Sequence, residues 1–369
     1  MILHGAADKD PITGALSVPI YSASTYHQKN IYKRQEFDYS RSGNPTRKAL
    51  EQVLAVLEDG SNAYAFSSGI AAITATLTAV LKNGDHVVVT QDIYGGTYRL
   101  LTQYLNKFGI SHTFVDTTNI NSVEKAIQQN TKALFLESPS NPLLKIIDFD
   151  SMVRIAKKHK LVSMVDNTFL SPYFFQPLKL GIDISIHSAT KFLGGHSDLI
   201  GGAVITGSSD LGELIYFVQN STGNMISPEN AWLLLRGTKT LSVRMKFQSE
   251  NALILAKWLQ KQSWVTKVFY PGLSDHVDHD IISKQASGYG AIVSFTTETV
   301  ERAHKIMNSV KIWTVAVSLG AVESILSYPS LMSHATFPKN KREELGITDN
   351  LIRLSVGLED IQDLISDLS

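Results

Sequence analysis

The chain has 369 residues, 43% of them hydrophobic, with 34 basic and 34 acidic residues and no cysteine. This length exceeds the size at which one hydrophobic core usually stops growing, so we expect a globular protein with two domains. The balanced charge argues against nucleic acid and anionic membranes as partners, and the lack of cysteine excludes disulfides, thiolate metal ligands and cysteine nucleophiles.

The N-terminal segment lacks the features of a targeting sequence. Residues 1–6 show no basic segment followed by an apolar core, and no apolar run in the chain approaches the ~20 residues needed to span a bilayer. We therefore expect a cytoplasmic protein. Residues 1–41 carry few periodic apolar positions and several turn formers. We expect this segment to lie on another surface or to stay mobile, because it cannot form a core of its own.

The first predicted elements are a helix, a strand and a second helix. Residues 45–58 have a helical spacing of apolar positions after Asn44, which suits a helix cap. Residues 63–66 predict a short strand, and residues 71–81 predict a helix that follows Ser67-Ser68-Gly69-Ile70. The N–H groups at a helix start favour an anion. Gly69 and Ile70 are therefore candidates for a phosphate site, although a plain strand-to-helix turn explains the same residues.

An alternation of strands and helices follows. Strands are predicted at 86–90, 113–116 and 133–136, with a helix near 123–129, and this rhythm indicates a mostly parallel sheet. Two side chains follow strand ends: Tyr94, whose ring suits stacking on a flat ligand, and Asn141, whose amide suits a ligand oxygen. The alternatives are an aromatic packed at a strand end and a simple Asn-Pro turn.

Two further apolar runs, 161–165 and 182–186, lead to Asp166 and to Lys191. Parallel strands that end in polar loops place their last residues on one sheet edge, where small ligands bind. Lys191 is suited to form an imine with a carbonyl compound, and the hydroxyls of Ser188 and Thr190 suit a phosphate. Pyridoxal phosphate needs such an amine, together with a carboxylate at its ring nitrogen. Considered alone, Lys191 is also consistent with an ordinary surface lysine, and Asp166 with a helix cap.

The remainder of the chain predicts a smaller α/β unit. Residues 203–206 predict a strand, a helix begins near Asp210, and residues 229–261 predict one long helical stretch. Strands at 291–295 and 313–317 flank a helix at 300–310. His276 and His279 lie in a loop with no obvious third ligand, so we expect no metal site.

Several motifs carry a resemblance to a known family. They are Tyr39-Ser40-Arg41-Ser42-Gly43-Asn44-Pro45-Thr46, Asp166-Asn167-Thr168, Ser188-Ala189-Thr190-Lys191, Ser318-Leu319-Gly320-Ala321-Val322-Glu323-Ser324 and Ile352-Arg353-Leu354-Ser355. With them the chain resembles, over nearly its whole length, the Cys/Met-metabolism family of pyridoxal-phosphate enzymes, which act in trans-sulfuration. The resemblance implies a fold-type I, transferase-like α/β fold. Its expected parts are an arm on a neighbouring subunit (1–41), a cofactor domain with a mostly parallel sheet (42–242) and a smaller C-terminal α/β domain (243–369).

The resemblance also implies a role for each candidate residue. The expected catalytic residues are Lys191, Tyr94 and Tyr39. The expected cofactor-binding residues are Lys191, Asp166, Tyr94, Gly69, Ile70, Ser188, Thr190, Asn141, Thr168, Tyr39 and Arg41. The expected substrate-binding residues are Arg353, Ser318, Asn141, Arg99 and Asp38.

Two of these expectations concern the substrate and the neighbouring subunit. Arg353 is expected to hold the substrate α-carboxylate through its planar fork, with a surface arginine beside Glu359 as the alternative. Tyr39, Arg41 and Asp38 are expected to reach the site of the adjacent subunit. The resemblance therefore implies a homo-oligomer with shared active sites, usually a tetramer, and a small sulfur amino acid as substrate.

The family members share these residues but differ in reaction. Val317 stands where many γ-synthases and γ-lyases carry glutamate, and together with Asn224-Met225 it is similar to the β-lyases of low-GC Gram-positive bacteria. Gly96, where methionine γ-lyases carry cysteine, argues against that member. We therefore predict a cystathionine β-lyase. Cystathionine γ-lyase and cystathionine γ-synthase or O-acylhomoserine thiol-lyase are alternatives, and a non-catalytic metabolite-binding relative is the alternative from another class.

Overall fold

The computed structural model describes residues 9–10, 12–33 and 35–369. Residues 1–6, on which the expectation about targeting depends, lie outside this part, as do residues 7–8, 11 and 34 of the predicted arm. In the described ranges, no helix is long and apolar enough to cross a membrane.

The larger sheet has seven strands. In chain order they are β1 (Asn62–Phe66), β2 (His86–Thr90), β3 (Ser111–Val115), β4 (Thr131–Glu137), β5 (Val162–Asp166), β6 (Ile184–His187) and β7 (Gly202–Thr206). Their order across the sheet is β1-β7-β6-β5-β4-β2-β3, and β7 runs against its two neighbours while the other pairs are parallel. Every residue of β2, β6 and β7 is buried, as expected where helices cover both faces of a sheet. The predicted mostly parallel sheet is confirmed.

Helices connect these strands and lead out of the sheet. They are α1 (Pro45–Glu58), α2 (Gly69–Val80), α3 (Gly95–Arg99), α4 (Ile120–Ala126), α5 (Phe149–His159), α6 (Ser171–Phe174), α7 (Ser209–Thr222), α8 (Pro228–Thr238) and α9 (Leu241–Leu259). The helix predicted at 45–58 is confirmed, and Asn44 caps it by accepting the N–H groups of Thr46 and Arg47. The second helix begins two residues before the predicted 71, because Ser68 caps it by accepting the N–H of Ala71.

The long helical stretch predicted at 229–261 is two helices, because the chain turns at Lys239 and Thr240 between α8 and α9. After the turn, Arg244 donates to the backbone oxygens of Phe192 at 2.7 Å and Gly237 at 2.9 Å. The break therefore lets the two helices close around the loop that follows Lys191. The predicted domain boundary near residue 242 lies close to this break and remains a prediction.

A second sheet lies in the C-terminal part. Its strands are β8 (Val265–Phe269), β9 (Ile292–Thr297), β10 (Thr314–Val315), β11 (Ile325–Ser327) and β12 (Leu351–Ser355), and its helices are α10 (His279–Gln285), α11 (Val300–Ser309), α12 (Lys339–Glu344) and α13 (Ile361–Leu368). The strand order is β10-β11-β12-β9-β8, and only β10 and β11 pair in parallel. A strand is predicted at 313–317, but in the structure β10 has only two residues, and both are exposed. It is an edge strand of the sheet, and such strands are often short.

Candidate active site

A cavity of about 480 Å³ gathers most of the predicted site residues at the carboxyl ends of the large-sheet strands. The predicted residues that line it are Gly69, Ile70, Tyr94, Arg99, Asn141, Asp166, Thr168, Ser188, Thr190, Lys191, Ser318 and Arg353. A cavity of about 790 Å³ elsewhere, lined by Lys145, Lys267 and His276 among others, contains none of them. The smaller cavity is the candidate active site because it holds an amine, two carboxyls and a guanidinium together.

Lys191 lies in the loop after β6, and its Nζ donates to the hydroxyl of Ser318 at 2.6 Å. Burial, together with the smaller effect of the positive charge of Arg353, lowers the pKa of Lys191 to about 8. A larger fraction of this amine is therefore neutral near pH 7 than in an exposed lysine, which makes it a better nucleophile and base. Ser318 has a φ of 91°, a conformation that is rare outside glycine and recurs at functional sites.

Two carboxyl groups, Asp166 and Glu137, lie opposite each other at the ends of β5 and β4. Burial raises the pKa of both, and the charge of Asp166 raises the pKa of Glu137 further, to well above its usual range. Asp166 accepts two hydrogen bonds from Thr168, one from its N–H at 3.1 Å and one from its hydroxyl at 2.5 Å. These donors stabilise the ionised form of Asp166 and lower its pKa, against the effect of burial.

A buried contact between a histidine and a glutamate lies near Asp166 in the large sheet. Nε2 of His187, the last residue of β6, lies 2.5 Å from Oε1 of Glu58, and both side chains are buried. The charge of His187 lowers the pKa of Asp166, against the effect of burial. Sequence analysis assigned no role to Glu58, Glu137 or His187. The one signal available for His187 was its place directly before the Ser-Ala-Thr-Lys motif.

The start of α2 packs closely against the Lys191 loop, and the cavity surface beside this contact is the proposed anion cradle. A Cβ atom added at Gly69 would lie 2.8 Å from the Cβ and Oγ of Ser188, so only glycine leaves room there. The first N–H groups of a helix have no acceptor within the helix, which leaves those of Gly69 and Ile70 available to an anion. The hydroxyl of Thr190 differs from expectation, because it donates to the oxygen of Gly201 at 3.1 Å and accepts its N–H at 3.0 Å.

Arg353 enters the cavity from β12, in the middle of the second sheet. Its guanidinium donates to Oδ1 of Asn141 at 2.9 Å, and to the backbone oxygen of Ser318 at 2.8 Å and the hydroxyl of Ser327 at 3.1 Å. The side chain is 2% exposed, and its Nε has no hydrogen-bond partner among the residues that the structure describes. Burial lowers its pKa to about 10. A buried guanidinium with a free donor is a suitable place for a ligand carboxylate.

Tyr94 and Arg99 occupy the two ends of α3 at the cavity. A side chain at Gly96 would overlap the Tyr94 ring, so only glycine at this position leaves room for the ring. The lining also includes the apolar residues Val317, Ile200 and Met332. The cavity thus combines the Tyr94 ring with apolar side chains.

The structure does not bring Asp38, Tyr39 and Arg41 to this cavity. The Arg41 guanidinium lies 5.2 Å from the centre of the Tyr39 ring, and Tyr39 is 45% exposed. Asp38 accepts the N–H of Tyr39 at 2.6 Å. These three residues thus lie together on the surface of the chain.

His276 and His279 make local contacts in their loop. His276 accepts the N–H of Asp278 at 3.2 Å, and His279 donates to the backbone oxygen of Pro271 at 2.8 Å. Among the residues described, no group of three or more His, Cys, Asp or Glu could hold a metal ion.

The cavity fits the three functional groups of pyridoxal phosphate. Lys191 offers an amine with a lowered pKa for the aldehyde, and Asp166 offers a buried carboxylate for the ring nitrogen. The N–H groups at the start of α2 and the hydroxyl of Ser188 beside them, all at the cavity lining, suit the phosphate.

Comparison with known proteins agrees with this fit. The family model described as Cys/Met metabolism PLP-dependent enzyme matches residues 1–369. The chain is 51% identical over 368 residues to cystathionine gamma-lyase of Bacillus subtilis (strain 168). The aligned region covers 100% of this chain and 97% of that protein. It is 49% identical over 366 residues to cystathionine beta-lyase MetC of the same organism, and this alignment covers 99% of this chain and 94% of that protein.

A solved structure shows the same agreement in three dimensions. The crystal structure of cystathionine gamma-lyase from Lactobacillus plantarum complexed with L-serine superposes with a TM-score of 0.98 and 46% identity, over 100% of this chain and 96% of that chain. The predicted fold is thereby confirmed, and the alternative of a non-catalytic relative is set aside. The chain belongs to the Cys/Met-metabolism family of enzymes that depend on pyridoxal 5'-phosphate.

Proposed function

We propose that the chain is a carbon–sulfur lyase that cleaves cystathionine at its β-carbon and yields homocysteine, pyruvate and ammonia. The names of its relatives support a lyase acting on cystathionine, because a β-lyase and a γ-lyase are both about half identical to it. The choice between β- and γ-cleavage depends on the cavity itself.

In this proposal each predicted residue has a task at the cofactor or the substrate. Lys191 would hold the cofactor aldehyde, Asp166 would serve the ring nitrogen with support from Thr168, and Tyr94 would offer its ring to the cofactor ring. The remaining cofactor contacts are Gly69, Ile70, Ser188 and Thr190 at the phosphate and Asn141 at the ring hydroxyl. Arg353 binds the substrate α-carboxylate, Ser318 assists it, and Arg99 faces the far end of the substrate.

The chemistry follows from where the residues hold protons and charge. Pyridoxal phosphate, when bound, supplies an electron sink for the electrons left at the substrate α-carbon. Arg353 would fix the substrate carboxylate, and the Lys191 amine would take the proton from the α-carbon. Ser318 is placed to hold that amine through the hydrogen bond at 2.6 Å. The bond between sulfur and the β-carbon would then break, the proton held at Lys191 would pass to the sulfur that leaves as homocysteine, and water would hydrolyse the three-carbon enamine that remains to pyruvate and ammonia.

The observation that favours β-cleavage is the wall beside Ser318. Cleavage at the γ-carbon needs a second deprotonation, at the β-carbon, which a polar neighbour of the substrate would assist. The exposed apolar residue Val317 occupies this wall. In the described part of the chain, Glu137 and Asp166 are the acidic residues that line the cavity, and both belong to strand ends of the large sheet rather than to the segment of Val317. A single base, Lys191, suffices for β-cleavage.

The products formed from cystathionine test this choice. The purified protein, loaded with pyridoxal phosphate, is expected to give pyruvate and homocysteine in equal amounts, measured by chromatography of the keto acids and thiols. 2-Oxobutyrate with cysteine would instead establish the second candidate, a γ-lyase, which the identity of 51% to the Bacillus subtilis enzyme favours. Dependence on an O-acylhomoserine would establish a synthase or thiol-lyase.

We further propose that the active site is shared between subunits of a homo-oligomer. Arg41 and Tyr39 do not line the cavity of their own chain, although the motif that contains them resembles one that contacts the cofactor phosphate. Placed at a neighbouring cavity, Arg41 would add a cation for the phosphate, and Tyr39 would receive a proton from the substrate amine. Asp38 would be a further contact for the substrate.

Complementation between two inactive variants tests the shared site. Arg41→Ala and Lys191→Ala, refolded together, are expected to regain about a quarter of the wild-type turnover, because half of the random dimers contain one intact site. Lys191→Ala refolded with Lys191→Arg provides the control and is expected to stay inactive. If the first mixture also stays inactive while each variant folds, Arg41 acts within its own chain and the shared site is wrong.

A further inference from the structure

Glu137 is a buried carboxyl group in the cavity to which the proposed chemistry gives no task. It is the last residue of β4, lines the cavity and is 5% exposed. A buried carboxyl group is costly unless its oxygens are hydrogen-bonded. The contacts of Glu137 therefore indicate why the chain carries it at this position.

Both oxygens of Glu137 accept backbone N–H groups from the two segments that border the cavity. Oε2 accepts the N–H of Tyr94 at 2.9 Å, and Oε1 accepts the N–H of Asn141 at 3.1 Å. Tyr94 directly precedes α3, and its side chain does not cap that helix. Asn141 lies in the turn after β4. One carboxyl group thus joins two loops that are 47 positions apart in the sequence, 141 minus 94.

Each of the two loops carries a group proposed to contact the cofactor or the substrate. Tyr94 presents the ring, and Asn141 accepts a hydrogen bond from Arg353 at 2.9 Å. Loops that follow strand ends move more than the strands unless something ties them. Glu137 supplies such a tie from the rigid end of a central strand, whose neighbours on either side are β2 and β5.

We propose that Glu137 is a positioning residue, which sets the distance between the Tyr94 ring and the Arg353 guanidinium by holding the backbone of Tyr94 and Asn141. The inference rests on the proposed function, because it takes Tyr94 as the cofactor contact and Arg353 as the substrate contact. We expect a large effect on kcat/KM from this one side chain, since a misplacement of about 1 Å in an active site costs about 10²-fold in rate.

A carboxyl group suits this position better than an amide does. Glutamine has the same length but only one acceptor oxygen, and its NH₂ group would face an N–H donor at the second contact. Glu137→Gln therefore removes one of the two contacts with almost no change in volume. Glu137→Ala removes both contacts and leaves a small void.

The decisive variant is Glu137→Gln, studied as the full chain with bound pyridoxal phosphate. We expect KM for cystathionine to rise at least about tenfold, with a smaller loss in kcat, because the variant loses a hydrogen bond to an ionisable group. We also expect faster deuterium exchange of the backbone in peptides covering residues 93–99 and 139–144. Glu137→Ala is expected to enlarge both changes.

Glu51→Gln is the matched control. Glu51, a glutamate of α1, accepts the N–H of Ala65 at 2.9 Å and lies 3.5 Å from Arg47. It does not line the cavity. This variant is expected to leave KM and the exchange of the two cavity peptides unchanged.

Two results would overturn the positioning role. The first is a Glu137→Gln protein with wild-type KM and unchanged exchange in both peptides, and the second is a Glu51→Gln protein whose KM rises as much as that of Glu137→Gln. Failure of the proposed function is distinguishable, because the wild-type protein would then form no keto acid from cystathionine. Deuterium exchange and the affinity of the cofactor-free protein for pyridoxal phosphate would still decide the role of Glu137.

Discussion

Replacing Lys191 with alanine is expected to lower kcat for cystathionine cleavage by at least about 10³-fold, since the general base and the amine that holds the cofactor are lost together. Borohydride should no longer attach the cofactor to the peptide that contains residue 191, as measured by mass spectrometry. The variant should fold at least as well as the wild type, because a buried amine with a pKa lowered to about 8 costs stability when it is charged. Thermal unfolding of the cofactor-free proteins checks this point.

Lys179→Ala serves as the control for Lys191→Ala. Lys179 is exposed and lies 4.0 Å from Asp59, so its loss should change neither turnover nor the borohydride label. Normal turnover of the Lys191→Ala protein, with the cofactor still fixed by borohydride, would contradict the role of Lys191 and with it the mechanism.

Replacing Arg353 with methionine is expected to lower kcat/KM by about 10²–10³-fold, mainly through KM, because the substrate carboxylate loses a buried guanidinium partner. The change should also raise the pKa of Lys191 above about 8, because the positive charge of Arg353 helps to lower it. The amine would then be protonated, and unreactive, up to a higher pH. The midpoint of Lys191 modification by an amine reagent, followed against pH in the cofactor-free protein, measures this shift.

Arg302→Met is the control for Arg353→Met. The Arg302 guanidinium lies 4.7 Å from the centre of the Trp264 ring in the same C-terminal part, outside the cavity lining. Its loss should leave KM and the Lys191 midpoint unchanged. An Arg353→Met protein whose midpoint stays near pH 8 would show that the two side chains do not interact.

The parts of the site that follow buried strands could be predicted from the sequence. The apolar runs that lead to Asp166 and Lys191 are β5 and β6, and β6 pairs in parallel with β5. Parallel strands that end together bring their last residues together. The position of Lys191 relative to Asp166 thus depended only on the periodicity of the chain and on one rule of topology.

Other parts depend on contacts that leave no mark in the sequence. Glu137 was overlooked because its partners are backbone N–H groups, which every residue except proline carries. β12 was not predicted as a strand because a charged residue, Arg353, occupies its centre. The turn between α8 and α9 was missed because it depends on Arg244, which binds a loop some 50 residues earlier in the chain, 244 minus 192.

The two halves of the candidate site are far apart along the chain. The residues proposed to hold the cofactor extend from Gly69 to Lys191, whereas Ser318 and Arg353, proposed to hold the substrate, come from the last quarter. Because the chain is synthesised from its N-terminus, the cofactor residues from Gly69 to Lys191 are all translated before Ser318 and Arg353. We therefore expect a chain that ends before β12 to lack its grip on the substrate carboxylate, whatever the state of its cofactor residues.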